Sequence, residues 1–504
     1  MSETNIQGLI AHFPIADQTV PISNPVNGKK IYDLPQLSEQ QVIDAIDKAR
    51  LAQPSWEKVS VTERAKVLRQ TQKLMIADEA KLLDLLQLET GKSRAHAFEE
   101  TVGAIAAAGY NSKVAVKALA RQKTKSGIPV LTKTFVDHFP VGVVGVITPW
   151  NYPLALTMLD VLPALVAGNA VVQKADNQSA LTVLFARHLA IEAGLPAEVW
   201  TVVVGDGEIV GNAVTDHVDY VAFTGSTATG RKVAQRAAAR LIGCSLELGG
   251  KNPMIVLESA NVKRAAEIAM AGAFGSAGQL CVSIERVYVP NRMKEEFLSE
   301  IAKRTNSLNV GKSNDFSMDI GSLTGYSQLQ RVTGFIDDAV ITGATVIAGG
   351  EALSETGPYF YSPTVLTNVN ANARMYRQEV FGPVIAVEGY DDLDDAIAWA
   401  NDSDFGLNAS VVGDERDALK VAEKLNAGGV NINEGYRASF ASNETPMGGT
   451  KSSGQGRRNG IGGILRYTEA RAIGISRGAI KIPTRAKQYN QMAPLMRILV
   501  KLIK

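Results

Sequence analysis

The sequence predicts an α/β fold with helix-covered parallel sheets. From about residue 170 onward, short apolar, β-branched segments alternate with longer amphipathic ones, as in successive strand–helix–strand units. Glycine is abundant, with 45 residues in a chain of 504, which suits the many tight turns of such a fold. Apolar residues make up 45 % and charged residues 20 % of the chain, enough for more than one hydrophobic core.

The amino-terminal part is predicted to be helical over residues 38–120. Ser38 to Gln41 and Ser60 to Glu63 both match the capping-box pattern, and each precedes an apolar-periodic run. Residues 130–148 then change to β-branched, period-two runs, which predicts strands.

Strands and helices alternate after residue 148. The predicted strands are Ala170–Lys174, Trp200–Val204, Tyr220–Phe223, Ser245–Leu248 and Met254–Val256, and the first of these are separated by helices at 179–193, 206–214 and 228–239. A second series has helices near 293–304, 327–341, 392–400 and 415–425, and strands near 286–289, 345–348, 384–388 and 409–412. Two α/β units are therefore expected to meet near residue 250, where the Gly249-Gly250 pair offers a hinge.

The composition argues against several classes of function. The chain has 52 Lys and Arg residues and 51 Asp and Glu residues. This near-neutral balance argues against a protein that binds nucleic acid through an overall positive charge. The only cysteines are Cys244 and Cys281, too few for a disulfide scaffold. With five scattered histidines, they give no metal-ligand spacing, so no metal site is expected.

The two ends of the chain differ in charge. The first residues lack the basic and apolar regions of a signal peptide, and no apolar run is long enough to span a membrane, so we expect a cytoplasmic protein with free thiols. Residues 471–504 instead contain eight basic residues and no acidic one. From Pro494 on, a cationic amphipathic helix is predicted from Arg497, Lys501, Lys504 and the apolar Leu495, Ile498, Leu499, Leu502 and Ile503. It either packs on its own protein or frays, or it makes weak contact with a membrane.

Two glycine-rich segments are candidates for binding a phosphate. The segment Gly205 to Gly211 resembles a dinucleotide fingerprint, but its last spacing is one residue too long and Asp206 would face the phosphates. The segment Phe223 to Gly230 follows a strand and opens a helix with small and hydroxyl residues, which favours anion binding at Gly225 and Ser226. Lys174 ends a neighbouring strand and could reach the same nucleotide, because open α/β sheets bind ligands at the carboxyl ends of their strands.

Three residues could perform covalent chemistry, although each alone has an ordinary structural explanation. Cys281 in the sequence GQLC is a candidate nucleophile, or a small buried apolar residue. Glu247, at the end of a strand, is a candidate general base, or an ion-pair partner of Lys251. Asn151, between two prolines, could donate to an oxyanion, or form an Asx turn.

Together, these motifs resemble the aldehyde dehydrogenase superfamily over about residues 20–480. The matching segments, in family order, are PWNYP at 149–153, LVAGNAVVQK at 165–174, FTGST at 223–227, ELGGKNP at 247–253, GQLC at 278–281, EVFGPV at 379–384 and PMGGTKSSGQGR at 446–457. The resemblance implies a Rossmann-type NAD(P)-binding domain (1–127 and 146–249) and an α/β catalytic domain (250–445). It also implies a small β oligomerisation arm with a bridging segment (128–145 and 446–482), followed by the basic tail (483–504).

The same resemblance assigns roles to individual residues. Cys281 would attack the aldehyde carbon, Asn151 and the Cys281 N–H would hold the oxyanion, and Glu247 would activate the water that hydrolyses the thioester. The residues matching the cofactor site are Thr148, Trp150, Asn151, Lys174, Gly225, Ser226, Leu248, Glu379 and Phe381.

Asn177 bears on the choice of cofactor. Many NAD-using relatives have a glutamate three residues after the equivalent of Lys174, and here Asn177 takes that place. Without a carboxylate, a 2′-phosphate meets no repulsion, and an amide can donate to it. We therefore expect NADP to be preferred, with NAD as the alternative, unless the neighbouring Asp176 points inward.

Within the superfamily, the sequence most resembles bacterial NADP-type succinate-semialdehyde dehydrogenases. A substrate with a distal carboxylate needs a cation or several donors, and the candidates are Arg437, Ser442 and Arg286. Phe440 would equally suit an apolar aldehyde, so a medium- or long-chain aldehyde dehydrogenase with its tail at a membrane is the alternative. A non-catalytic relative is a third reading, which the joint presence of Cys281, Glu247, Asn151 and Lys174 opposes.

The resemblance also implies a homo-dimer or tetramer that assembles through 128–145 and 464–480. No second cysteine lies next to Cys281, so we expect no local disulfide switch.

Overall fold

The amino-terminal part is mainly helical in the computed structural model, which describes residues 3–13, 15–127, 132–477 and 483–502. Its elements are α1 (Glu3–Ile10), β1 (Thr19–Ser23), β2 (Lys30–Pro35), α2 (Glu39–Lys58), α3 (Val61–Ala77), α4 (Glu79–Thr90), α5 (Arg94–Ala118) and β3 (Gln122–Thr124). Ser38 forms the complete capping box that its sequence predicts. Ser60 caps α3 by accepting from the Glu63 N–H, but Glu63 pairs with Lys66 at 2.7 Å, so the reciprocal half of that box is not formed.

The first strand–helix series runs from residue 132 to 247. Its elements are β4 (Thr132–Pro140), β5 (Val143–Ile147), α6 (Pro153–Val166), β6 (Ala170–Lys174), α7 (Ala180–Glu192), β7 (Trp200–Val203), α8 (Gly207–His217), β8 (Tyr220–Thr224), α9 (Thr227–Ala239) and β9 (Gly243–Glu247). Every strand and helix predicted for this region is confirmed to within a few residues of its ends.

The second series begins immediately after Gly249-Gly250. It comprises β10 (Asn252–Val256), α10 (Val262–Phe274), β11 (Ile284–Pro290), α11 (Asn291–Asn306), α12 (Tyr326–Ile341), β12 (Thr345–Ala348), β13 (Thr364–Thr367), α13 (Arg374–Arg377), β14 (Val384–Tyr390), α14 (Leu393–Asn401), β15 (Phe405–Gly406), β16 (Asn408–Val412), α15 (Glu415–Ala422) and β17 (Gly429–Ile432). The chain then forms α16 (Arg437–Phe440), β18 (Thr450–Lys451), β19 (Gly454–Gln455), α17 (Gly460–Leu465), β20 (Thr468–Ser476) and α18 (Ala486–Leu502).

These strands form two separate, mostly parallel sheets. The first sheet has the order β19-β9-β8-β5-β6-β7, and the second has the order β12-β13-β14-β11-β10-β16-β17. β9 ends the parallel part of one sheet, and β10 lies inside the other, so Gly249-Gly250 carries the chain from sheet to sheet. β19 later returns and pairs antiparallel with β9, placing Gly454 opposite Glu247.

A third sheet, β20-β4-β3, stands apart from the other two. β4 and β20 pair antiparallel over nine residue pairs, from Thr132 opposite Ser476 to Pro140 opposite Thr468. The arm predicted at 128–145 is therefore too long, because Val143–Ile147 is a buried strand of the first sheet. Residues 128–131 and 478–482 of the predicted arm and bridging segment lie outside the described residues.

The basic tail forms α18, as its pattern predicts, although the helix starts before Pro494. Its side chains Tyr489, Leu495, Ile498 and Val500 are about half to two-thirds exposed. Ile503 and Lys504 lie outside the described residues. In the described part of the chain, no helix is long and apolar enough to cross a membrane.

Candidate active site

Most of the predicted site residues lie where loops at the ends of the two large sheets come into contact. Thr148, Lys174, Gly225 and Glu247 lie at or just after the carboxyl ends of β5, β6, β8 and β9, four neighbouring strands of the first sheet. Cys281 and Glu379 lie shortly before the amino ends of β11 and β14, which are neighbours in the second sheet. Because strand ends of one kind share one edge of a parallel sheet, the topology brings these residues together.

A strained loop presents Cys281. Ser276, Ala277 and Gly278 have successive φ values of 51°, 55° and 68°, in the left-handed region that side chains rarely adopt. A Cβ on Gly278 would lie 1.9 Å from the carbonyl oxygen of Gly382, so the loop packs directly against the segment that follows Phe381. Backbone strain of this kind persists where the surroundings hold it and is concentrated at functional sites.

The surroundings of Cys281 oppose ionisation of its thiol. Burial, together with the nearby carboxylates of Glu379 and Glu247, raises the pKa of the Cys281 thiol to about 12. The Cys281 carbonyl accepts a 2.8 Å hydrogen bond from Asn252 Nδ2, and the apolar side chains of Tyr152, Leu280 and Tyr436 belong to a cluster that packs against the cysteine. Attack by the sulfur therefore requires a group that accepts its proton.

The Asn151 amide is held at the start of this loop. Its Nδ2 donates to the carbonyl of Gln279 at 2.9 Å, and the backbone carbonyl of Asn151 accepts from Lys92 Nζ at 2.8 Å. An amide Nδ2 carries two N–H groups, so one remains to donate to an oxyanion formed at Cys281.

Glu247 has the properties of a general base that works near neutral pH. Its side chain is buried at the end of β9, and neither carboxylate oxygen has a hydrogen-bond partner in the described structure. Burial raises the pKa of the Glu247 carboxyl to about 7, against the lowering influence of Arg458 and Arg466. The alternative pairing with Lys251 is wrong, because Lys251 forms a buried ion pair with Glu285.

Three of the residues predicted to bind the cofactor, Trp150, Glu379 and Phe381, make contacts between the two α/β units. The rings of Trp150 and Phe381 meet edge to face at 5.7 Å. Glu379 Oε1 accepts the Gly250 N–H at 2.8 Å, while a Cβ on Gly249 would lie 2.5 Å from Glu379 Oε2. A side chain at Gly249 would therefore displace the Glu379 carboxylate, so this glycine allows the carboxylate its place. Burial, followed by the nearby Glu285, raises the pKa of the Glu379 carboxyl to about 8.

The two candidate phosphate turns differ in what already occupies them. At α8, the Asp206 carboxylate accepts the N–H groups of Glu208 and Ile209, so an anion already caps this helix. At α9, the cap is the neutral Ser226 hydroxyl, which accepts from the Thr229 N–H at 3.3 Å. The geometry therefore favours the turn at Gly225 and Ser226 for a phosphate. Leu248, which follows Glu247, donates its N–H to the Ser453 carbonyl at 2.9 Å and packs against Gly230 of α9.

Asn177 and Asp176 are both oriented by local hydrogen bonds. The Asp176 carboxylate accepts from the Gln178 N–H at 2.9 Å, a local hydrogen bond that stabilises the turn formed by these residues. Asn177 Oδ1 accepts from the Gly205 N–H at 3.0 Å, which fixes the amide with its NH2 group on the opposite side. This arrangement leaves Asn177 as a donor, the property that a 2′-phosphate requires. Lys174, buried at the end of β6, accepts the Thr148 N–H through its carbonyl at 3.1 Å.

Arg437 lies beside the apolar cluster around Cys281, but not as an unpaired cation. Its guanidinium contacts Glu99 at 3.2 Å and Glu434 at 3.4 Å, and it lies over the Tyr436 ring. Ser442 lies nearby in sequence, and its Oγ accepts the Thr445 N–H at 3.3 Å, which leaves the hydroxyl proton free to donate.

Arg286 does not serve the substrate pocket, and this prediction is corrected. It is buried on β11, where its N–H groups donate to the carbonyls of Lys251, Trp399 and Ala400 and to the Tyr288 hydroxyl. Five such hydrogen bonds use all five donors of a guanidinium. Arg286 therefore fastens the start of β10 to α14.

Sequence reasoning missed three buried ion pairs, each of which holds a site segment. Lys92 pairs with Glu100, whose carboxylate also accepts the N–H groups of Leu154 and Ala155 at the start of α6. Lys251 pairs with Glu285, which accepts the N–H groups of Val380 and Phe381. The third pair joins Asp160 to Arg458. Only Asp160 leaves a sequence signal, as the lone charge in the apolar helix PLALTMLDVLPALV.

Comparisons with known proteins agree with this geometry. The model of the aldehyde dehydrogenase family matches residues 14–473. The chain is 45 % identical over 463 residues to a provisionally named succinate-semialdehyde dehydrogenase (NADP+) of Mycolicibacterium smegmatis, covering 92 % of this chain and 90 % of that protein. It is 36 % identical over 456 residues to the succinate-semialdehyde dehydrogenase (NADP+) GabD of Escherichia coli K12, covering 90 % and 93 %.

A solved structure gives the same result for the fold. The crystal structure of an E. coli NADP-dependent enzyme superposes with a TM-score of 0.88 at 35 % identity, over 93 % of this chain and 97 % of that one. The motifs, the fold and the placement of the thiol, carboxylate and amide all point to one conclusion: this chain belongs to the aldehyde dehydrogenase family.

Proposed function

We propose that the protein oxidises succinate semialdehyde to succinate with NADP. The convergence of Cys281, Glu247 and Asn151 at one edge between the sheets carries the proposal, because a thiol, a base and an amide donor are the parts that oxidation through a thioester requires. The names of the relatives that match most of the chain support the choice of aldehyde and of cofactor.

The chain's own residues account for the acyl-transfer chemistry. The Cys281 thiol gives its proton to solvent as its Sγ bonds to the aldehyde carbon, and the Asn151 amide with the Cys281 N–H stabilises the oxyanion of the resulting thiohemiacetal. When bound, NADP supplies the acceptor for the hydride that leaves this carbon. Glu247 then takes a proton from a water molecule while the oxygen of that water attacks the thioester carbon. The C–S bond breaks, and the acid is released.

Asn177 supports NADP as the preferred cofactor. Its amide is fixed by Gly205 with the NH2 group left to donate, and Asp176 is engaged in its own turn. The substitution N177E places a carboxylate there, so we expect the ratio of kcat/KM for NADP over NAD to fall by at least about tenfold. A wild-type preference for NAD above about tenfold would contradict the proposal.

Arg437 and Ser442 are the proposed partners of the substrate's distal carboxylate. Glu99 and Glu434 orient the guanidinium but do not use all of its donors, so further N–H groups remain for a ligand. Removing one side of a buried charged hydrogen bond costs about 2–5 kcal/mol, so R437A should lower kcat/KM for succinate semialdehyde by about 30-fold or more. Butanal, of equal chain length without the carboxylate, should be affected much less, and R437K should recover part of the loss.

A medium- or long-chain aldehyde dehydrogenase is the second candidate. The observation that favours it is the apolar lining beside Cys281, which includes Tyr152, Leu280, Tyr436 and Phe440. This candidate requires decanal to exceed succinate semialdehyde in kcat/KM with the wild-type enzyme, and R437A to show no loss selective for the charged substrate. Initial rates on succinate semialdehyde, butanal and decanal therefore separate the two proposals.

Two further parts of the proposal concern assembly. We propose a homo-oligomer that forms through the β20-β4-β3 sheet, whose outer strand β20 is largely exposed.

We also propose that α18 makes weak contact with anionic membranes, since Arg497 and Lys501 accompany the exposed Leu495 and Ile498 on this helix. Vesicles containing phosphatidylserine should then pellet more enzyme than neutral vesicles, and the double substitution R497E/K501E should abolish the difference.

A further inference from the structure

A buried cluster of charges lies beneath the proposed base. Asp160 of α6 accepts from Arg458 Nε at 3.0 Å and from Arg458 Nη2, and also from Arg466 Nη2 and the Tyr467 hydroxyl. The side chains of Asp160 and Arg458 are 0 % and 1 % exposed, and that of Arg466 is 10 % exposed. One carboxylate and two guanidinium groups leave this buried cluster with a net positive charge.

The sheet register places this charge next to Glu247. Arg458 Nη2 also donates to Thr224 Oγ1. Thr224 is the register partner of Glu247 in the parallel pair β8–β9. Register partners on neighbouring strands point to the same face of a sheet, so the Arg458 guanidinium and the Glu247 carboxylate lie on one face, around the same threonine.

Complementary polar atoms remain unpaired at this place. Arg458 Nη1 is buried without a hydrogen-bond partner in the described structure, and so are both oxygens of Glu247. Buried donors and acceptors are nearly always paired, so each exception calls for an explanation. Here an unused donor on a buried cation and two unused acceptors on a buried carboxylate occur on the same face of one sheet.

We propose that Arg458, anchored by Asp160, is a positioning residue that keeps Glu247 ionised and oriented for thioester hydrolysis. Its Nη1 group is left to donate to the carboxylate, and its charge favours the ionised base in this buried setting. This inference rests on the proposed role of Glu247, but not on the identity of the aldehyde or of the cofactor.

The charges around Glu247 act in opposite directions. Burial is the largest influence and raises the pKa of Glu247 to about 7; Arg458 and Arg466 lower it, Asp160 raises it, and Arg457 lowers it slightly. The Cys281 thiol also lies near Glu247, and burial is the main reason that the pKa of this thiol is raised to about 12. Removing Arg458 should therefore raise the pKa of the base, and removing the Asp160 charge should lower it.

In the step concerned, a bond forms between water oxygen and the thioester carbon as the C–S bond breaks. The electron pair of that bond goes to the Cys281 sulfur, one water proton goes to Glu247, and this proton later leaves for solvent. Only ionised Glu247 can accept the proton, so the rate of hydrolysis follows its ionised fraction.

The test is the pH dependence of thioester hydrolysis, measured as the slow phase after the first turnover of the holoenzyme with succinate semialdehyde. R458Q should move the ascending limb about one pH unit or more upward, and D160N should move it downward. R458K, which keeps the charge, should restore the limb to within about half a unit of wild type. R377Q, which breaks a bidentate surface pair with Asp402, is the matched control and should leave the limb in place.

The inference would be overturned if the ascending limb of the pH profile stayed in place in both R458Q and D160N, or if it moved in the same direction in both. The cluster would then have a structural role alone. If R458Q does not fold, D160N decides by the sign of its shift. If E247Q hydrolyses the thioester at the wild-type rate, the proposed role of Glu247 fails. If E247Q is blocked while the limbs do not respond, only the present inference fails.

Discussion

The surroundings of Cys281 oppose ionisation of its thiol, and the apolar cluster of Tyr152, Leu280 and Tyr436 packs against this residue. If it is the nucleophile, C281A should lower kcat by at least about a thousandfold, because the remaining groups only bind and polarise the aldehyde. Binding of NADPH, measured by its fluorescence, should be preserved. C244A is the matched control, since Cys244 lies on β9 packed against the core of the first sheet, and it should remain active. Turnover of C281A within about tenfold of wild type would remove Cys281 from this role.

Glu247 is expected to act in the second half of the reaction. E247Q keeps the shape but cannot accept a proton, so reduced cofactor should appear in a burst of about one per active site, followed by slow turnover. Stopped-flow absorbance of NADPH measures both phases. If the burst and the slow phase were lost together, Glu247 would have a structural role.

The same carboxylate sets a pH dependence. The pKa of Glu247 is raised to about 7, chiefly by burial, and the carboxylate is the active form. Hydrolysis should therefore be slow below pH 7, rise through about pH 7, and level off above it. A limb centred near the ordinary carboxyl pKa of about 4.3 would show that Glu247 is solvated at the time of reaction.

At this scale, sequence reasoning could locate short local motifs, but it could not predict contacts that depend on the packing of distant elements. The segments around Cys281, Glu247 and Asn151 could be identified because each is a short run of residues with a characteristic pattern. Arg286 lies only five residues after Cys281, but it is on a strand, and its donors are used by backbone carbonyls of residues 251, 399 and 400. No spacing rule predicts that arrangement, because it depends on how α14 packs against β10.

At the scale of elements, the pair Lys92–Glu100 fixes the start of α6. Glu100 accepts two N–H groups that an isolated helix would leave unpaired, and Lys92 holds the carbonyl of Asn151. Burial lowers the pKa of Lys92 and raises that of Glu100, so each charge depends on the other. Breaking a buried pair by removing one partner typically costs about 3–5 kcal/mol.

K92M should therefore lower the free energy of unfolding by about 3–5 kcal/mol, and it should also reduce kcat because Asn151 loses its support. Chemical denaturation and steady-state rates measure the two effects. The matched control is K66M, which removes an exposed pair with Glu63 and should cost about 0.5 kcal/mol or less. A K92M enzyme with normal stability and normal kcat would show that the pair is dispensable.

Hydrophobic periodicity predicted most elements, because both series consist of strands and helices of ordinary length. Among the elements that it missed are α6, α10, β13 and β17, and it could not predict the left-handed run at Ser276–Gly278. That conformation is imposed by contact with Gly382, about a hundred residues further along the chain. The half-formed cap at Ser60 has a local cause, since Glu63 pairs with Lys66 three residues further along the chain.

At the scale of the whole molecule, the site is formed by segments that cross from one unit to the other. Asn151 reaches Gln279, Gly250 reaches Glu379, and Leu248 is bonded to Ser453. The passage of the chain between the two units near Gly249-Gly250 could be predicted from the sequence, but the return of residues 447–458 to β9 could not. Because residues 447–458 return to β9, Arg458 lies beside Asp160. The proposed base Glu247 is therefore positioned by a segment about two hundred residues further along the chain.

The small sheet predicts how the molecule associates. β20 pairs with β4 along nine residues, and its outer edge has no strand beside it in the described chain. A three-stranded sheet that is mostly exposed gains little stability alone, and an unpaired edge tends to acquire a partner. We therefore expect a homo-oligomer whose contact includes β20, the commonest arrangement being a two-fold dimer.

Ile475 of β20 is 46 % exposed and offers the test. I475D places an unpaired charge on the contact, so sedimentation velocity at micromolar concentration should show the oligomer dissociating toward the 53.8 kDa chain. I341D, at an isoleucine that is 84 % exposed at the end of α12, is the matched control and should sediment like wild type. A wild-type protein that sediments only as the single chain would contradict assembly through this sheet. If I475D and wild type form the same oligomer, the contact lies on another surface.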